Sequence, residues 1–121
     1  VGRDLSWLFG KRESAVSKKA EQNVELCEKA VQIVRKCDSI GDKEIRQLAK
    51  TLNSVNPDID EAWVRKIVDM ANLSYLSYTN RMISSGQKPL DSKKYVKDTM
   101  EAQLRNVLVM WQKIARSLQS T

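Results

Sequence analysis

The sequence predicts an all-α fold, a single-domain helical bundle, and three observations carry that prediction. First, apolar residues recur at steps of three and four along three long stretches. They are Val16, Ala20, Val24, Cys27, Val31 and Val34; then Val64, Val68, Ala71, Tyr75, Tyr78 and Met82; then Val96, Met100, Leu104, Val107, Trp111, Ile114 and Leu118. A repeat of 3.6 gathers each set on one helix face. Second, Gly 4 and Pro 2 in 121 residues are too few for a turn-rich β fold. Third, Gly41, Pro57, Gly86 and Pro89 fall between the periodic stretches and so punctuate rather than interrupt them.

Residues 1–13 read as an N-terminal apolar and basic segment, and 14–121 as the bundle domain. In that segment Leu5, Trp7, Leu8 and Phe9 crowd together, Gly10 breaks the run and Lys11-Arg12 follow. The first helix is expected over about 14–38, with Ser14 as its N-cap. Leu26, Ile33, Cys37 and Ile40 form a second stripe, so this helix should touch two neighbours. Gly41 is expected to end it in a left-handed conformation. The short second helix, about 42–52, has Ile45, Leu48, Ala49 and Leu52 on one face and Asp42 as a candidate cap.

The third helix is expected over about 58–84. Pro57 suits a first helical position, and Asp58 with Glu61 resembles a capping box. Ser74 is placed on its core face, where a small residue admits a neighbouring helix. Beside its main stripe it carries Leu73, Leu76 and Ile83. Ser85–Pro89 is the clearest loop. Asp91 caps the fourth helix, about 91–119, with Leu90 and Tyr95 at the positions of a hydrophobic staple.

Connections this short make successive helices antiparallel. The second helix is too short to cover the third along its length, which leaves Leu73, Leu76 and Ile83 without a neighbour. Burial of each such side chain is worth about 1.5–3 kcal/mol. The expected cover is the Trp7-Leu8-Phe9 segment, a second subunit or another protein.

No residue set recommends catalysis. The chain has no histidine, which removes most general-base, triad and helix-bundle metal schemes. Cys27 and Cys37 lie ten residues apart on one helix, roughly 15 Å, which is beyond disulfide reach, and they lack zinc spacing. They read as two buried thiols of a reducing compartment, intracellular and most simply cytoplasmic. Glu21, Glu25 and Glu28 share a helix face bracketed by Lys18 and Lys29, the pattern of a solvated, ion-paired surface. No Gly-rich loop opens a helix. No apolar run approaches the eighteen or so residues that span a bilayer. The expectation is no enzyme, no cofactor, no metal and no small-molecule substrate.

Net charge is +6 and unevenly distributed. Residues 1–20 hold five basic and two acidic side chains, 81–121 eight and three, and the middle eight against ten. Two basic ends suit an anionic partner. The candidate contacts at the first end are Lys11, Arg12, Lys18 and Lys19. At the second they are Lys88, Lys93, Lys94 and Lys97, of which the last three sit at the positive end of a helix dipole at a cost of about 0.3–1 kcal/mol each. Arg105, Lys113 and Arg116 form a basic outer face on the fourth helix, with Val109 as an apolar residue within it. The two basic ends join only if the first and fourth helices start at the same end of the bundle.

The functional expectation is a non-catalytic binding and assembly module. Its basic ends would meet an anionic partner. Trp7, Leu8, Phe9, Leu73, Leu76, Ile83 and Val109 would serve self-association into a homo-oligomer or docking of another protein. One alternative is a nucleic-acid-binding protein acting through phosphate contacts. Another is a peripheral membrane or matrix-like protein anchored on an anionic membrane by the N-terminal Trp/Phe segment.

Overall fold

The computed structural model describes the backbone of residues 6–119 and the side chains of 15–119. Within them the chain forms four helices, α1 (Ser6–Lys36), α2 (Asp42–Asn53), α3 (Glu61–Ser84) and α4 (Ser92–Gln119), and no strand.

The start of α1 corrects the expected helix over 14–38. The backbone is already helical at Ser6, so Ser14 lies inside the helix and does not cap it. No proline intervenes, and the mid-helix Gly10 costs only about 1 kcal/mol. Extending an existing helix past it is easier than nucleating a new one. At the other end α1 stops at Lys36. The Cys37 thiol donates to the Val34 carbonyl at 3.2 Å, and Lys97 Nζ reaches the Arg35 carbonyl at 3.4 Å, a cation on the negative end of the helix.

Gly41 does not take the left-handed conformation expected of it. Its φ is −103°, and it is the N-cap of α2. Its N–H donates to Glu44 Oε1 at 3.5 Å, half of a capping box. Asp42 therefore falls inside α2, and its carboxylate pairs with Arg65 at 3.0 Å instead of capping. The left-handed glycine is Gly86, φ 74°. Its N–H donates to Ile83 and that of Gln87 to Met82, the two bonds of a Schellman motif closing α3.

α3 begins at Glu61, not near 58, because the preceding loop has its own bonds. Asn56 Oδ1 accepts the Asp58 N–H at 3.0 Å, and Asn53 Nδ2 donates to the carbonyls of Pro57 and Ile59. This folds the buried Ile59 onto the core. Asp60 then caps α3 by accepting the Trp63 N–H at 2.9 Å. Asp91 caps α4 in the same way through Lys94, also at 2.9 Å.

Each helix packs against two others: α1 against α2 and α4, and α3 against α2 and α4. The diagonal pairs α1 with α3 and α2 with α4 do not meet. The α1–α4 contact is the most extensive, and it is antiparallel. Arg35 near the end of α1 pairs with Glu101 in the first half of α4, while Glu21 at the middle of α1 accepts from Gln119 at the end of α4 at 2.7 Å.

Leu48, Leu52, Met100, Leu104, Val34, Val64 and Cys27 are sealed at the centre of the fold. The predicted α2 stripe is buried in full. The other stripes are rotated slightly. Ala30 and Leu108 join the core, whereas Val16 and Ile114 are exposed. On α4 the buried residues Val96, Met100, Leu104 and Leu108 step by four, Ala115 follows seven positions on, and Val107 and Trp111 pack on the flank. Asn23, a polar residue inside the α1 stripe, is buried too, and its Oδ1 has no partner among the described residues.

Candidate functional site

The two ends of α3 have different surroundings. Val64, Val68 and Ala71 are buried in the common core. At the level of Val68 and Asn72, the helix borders a small cleft shared with Ser39 and Ile40 of the α1–α2 connection and with Ser92 and Val96 of α4. Past this level α3 continues for 12 more residues, 73–84, or about 18 Å at 1.5 Å per residue.

One face of this projection is covered by the loop that follows it. Tyr75, Tyr78 and Tyr95 form a ring cluster with centroids 4.5–6.0 Å apart. Tyr75 donates through its hydroxyl to the Leu90 carbonyl at 2.7 Å, and the Leu90 N–H donates to the Tyr78 hydroxyl at 3.0 Å. Ser74 is exposed rather than on the core face. Its hydroxyl lies 2.8 Å from that of Tyr95 and donates to the Ala71 carbonyl at 3.0 Å. The hydroxyls and rings together pin residues 90–95 against α3.

The opposite face has no cover. Leu73 is 81% exposed, Leu76 69% and Ile83 62%, with Met70 at 58% beside them. Leu73, Leu76, Ser77, Asn80, Arg81 and Ser84 line a shallow groove along it. The middle of the face is uncharged. Asp69 stands one turn before Leu73 on the same line, and Arg81 borders the far end.

Trp7, Leu8, Phe9, Lys11 and Arg12 lie outside the described side chains.

The basic side chains are dispersed. Because α1 and α4 are antiparallel, Lys18 and Lys19 lie at one end of the pair and Lys88, Lys93, Lys94 and Lys97 at the other. Lys19 donates to the Ser54 carbonyl at 3.3 Å at the close of α2. Lys94 pairs with Asp98 at 3.0 Å, and Lys97 is committed to the end of α1. Lys18, Lys88 and Lys93 are exposed.

On the outer face of α4, Arg105 lies 3.6 Å from Glu101, which also meets Arg35. Arg116 donates to the Gln112 carbonyl at 3.4 Å, and Lys113 is exposed. Arg116 also borders a groove with Glu21, Glu25 and Glu28 of α1, so those carboxylates face a cation across the helix pair. Val109 is exposed next to Met110, a minor apolar patch.

The thiols differ from the expected buried pair. Cys27 is fully buried. Burial, with a smaller contribution from Glu28, pushes its pKa up to about 11. Cys37 is only half-buried, and its pKa is raised by burial against an opposing pull from Lys97. Neither is a thiolate nucleophile at neutral pH. Among the described residues, no group of three or more His, Cys, Asp or Glu side chains is placed to hold a metal ion. No described helix is long and apolar enough to cross a membrane.

The buried Asn23 has a sequence signal, an amide one turn before Cys27 inside an apolar stripe, but side-chain spacing alone does not separate a buried amide from a surface one. Comparison with protein-family models, with curated proteins and with solved structures finds no match to this chain.

Proposed function

We propose that this chain is a non-catalytic helical binding and assembly module that acts through the outer face of the α3 projection. The scaffold in this reading is a bundle of three long helices and one short one, and shortness of the second helix is what leaves the face open. The supporting observation is the exposure of Leu73, Leu76 and Ile83 on a helix already ordered by the tyrosine cluster. The largest contiguous apolar patch on a protein surface is often functional. The pairing of Glu101 with two arginines, and of Lys94 with Asp98, supports structural rather than catalytic use of these charges. Free thiols at Cys27 and Cys37 fit an intracellular, cytoplasmic setting.

A second reading has support of its own. Lys88 and Lys93 are exposed around the positive end of α4, where the single Asp91 carboxylate offsets only part of their unfavourable placement. An anionic partner at that end, nucleic acid included, would use them together with Arg105, Lys113 or Arg116. A membrane role would use Trp7, Leu8 and Phe9 with Lys11 and Arg12. Deleting residues 1–13 then abolishes binding to anionic vesicles.

Sedimentation of the pure chain, alone and with a random-sequence oligonucleotide at two salt concentrations, separates these readings. Self-association through α3 persists or strengthens in high salt. A complex that forms only with oligonucleotide and dissociates steeply with salt replaces the assembly reading with phosphate binding.

A further inference from the structure

We infer that the occupant of the α3 face is a second copy of this chain, the two α3 helices packing antiparallel about a two-fold axis near Tyr75 and Leu76. The inference rests on the self-association reading and adds its orientation, register and charge pairs.

Charge complementarity fixes the orientation. Asp69 and Arg81 are both exposed, and neither makes an ion pair among the described residues. They bound the uncharged face twelve positions apart, about 18 Å at 1.5 Å per residue. Residue 75 is midway between them. In an antiparallel pair centred there, Asp69 of each copy is level with Arg81 of the other, and the contact forms twice. The same register sets Leu73 level with Ser77, a large side chain opposite a small one. A parallel pair would stack Asp69 on Asp69 and Arg81 on Arg81. An isologous contact needs only one self-complementary face.

Area and access agree with this occupant. The exposed parts of Met70, Leu73, Leu76 and Ile83, with their polar neighbours, come to roughly 500–600 Å² per copy. The total is on the order of 1,000–1,200 Å², the lower bound for a specific interface. That suits a reversible dimer rather than an obligate one. α1 does not touch α3, so it does not stand between two copies meeting here. The tyrosine cluster orders the helix beforehand, which lowers the entropic cost of docking.

Sedimentation equilibrium of the full-length chain tests the proposal with exchanged charges. D69R and R81D each place like charges at both ends of the interface, and each alone is expected to weaken dimerisation about tenfold or more. An equimolar mixture of the two variants is expected to recover the dimer, because each new side chain then meets its opposite. Both positions are exposed, so unaltered thermal unfolding confirms that the variants fold. L73S/L76S is expected to abolish the dimer. A wild-type chain that is monomeric at every concentration overturns both the self-association reading and this inference. A dimer that L73S/L76S leaves intact overturns this inference alone. Loss with L73S/L76S but no recovery in the mixture of charge variants overturns the antiparallel pairing.

Discussion

The two halves of α3 are both rich in apolar residues and opposite in circumstance. From Glu61 to Ala71 the helix lies between α2 and α4 and buries Val64, Val68 and Ala71. From Leu73 to Ser84 it still carries Leu73, Tyr75, Leu76, Tyr78, Met82 and Ile83, but only the following loop and Tyr95 lie against one side of it. Leu73 and Leu76, larger than Val64 and Val68, are left in water. The difference is set by the length of the neighbours rather than by the helix itself. α2 has 12 residues against 24 in α3, and α1 ends at Lys36. A helix that outruns its neighbours turns core-type sequence into a contact surface.

Core truncations separate the two halves of α3 most strongly. Leu48, fully buried on α2 in the same core as Val64, should cost about 2–5 kcal/mol when changed to Ala. Leu76→Ala should cost less than about 0.5 kcal/mol in the dilute, monomeric chain. Urea unfolding of both variants measures the contrast, and equal losses would mean that the projecting half is packed after all.

The second effect is pH-dependent and confined to the sealed region. The buried Cys27 thiol has a folded-state pKa near 11, against an ordinary value of 9.0. The neutral thiol is therefore favoured in the fold. Its stabilisation is complete below pH 9 and lost as pH rises from 9 through 11, by about 2–3 kcal/mol at 1.36 kcal/mol per unit. Subtracting the pH profile of Cys27→Ala isolates this contribution from the lysines and tyrosines that titrate in the same range. Parallel profiles for the two proteins contradict it.

Smaller effects sharpen the contrast from each end. Asp60→Ala removes the cap of the embedded half and should cost about 1 kcal/mol. Tyr78→Phe removes the acceptor for the Leu90 N–H in the projecting half, where water can substitute, and should cost about 0.5 kcal/mol or less. If Tyr78→Phe is the costlier of the two, the loop contacts hold the projection more tightly than its cap anchors the helix.

Much of this architecture is legible in the chain. Ile45, Leu48, Ala49 and Leu52 are read correctly because a short helix with a single apolar stripe has only one way to face a core. Leu73, Leu76 and Ile83 are identified as surplus because they form a second flank on a helix too long for its neighbours. The misplacements have local causes. Ser14 and Gly41 carry residue types that favour helix ends, yet the α1 backbone runs through Ser14, and Gly41 serves the next helix. Asp58 loses the capping role to Asp60 because Asn53 and Asn56 take the loop's backbone groups first. The three-and-four spacing puts Ile114 in the core and leaves Leu108 out, whereas Leu108 is buried and Ile114 exposed. Over seven turns a stripe stepping by four drifts from one stepping by three and four, and only the neighbour's position selects between them. The separation of the basic ends needed the α1–α4 orientation, which rests on pairs such as Arg35 with Glu101, far apart in the chain.

The central claim is that the projecting half of α3 is a contact face and the embedded half is not. Methyl NMR spectra of the wild-type chain, recorded from dilute to concentrated solution, test it most directly. Leu73, Leu76 and Ile83 are expected to shift with concentration while Leu48, Leu52 and Leu104 stay fixed. Spectra that do not change with concentration, or changes confined to residues away from α3, would contradict it.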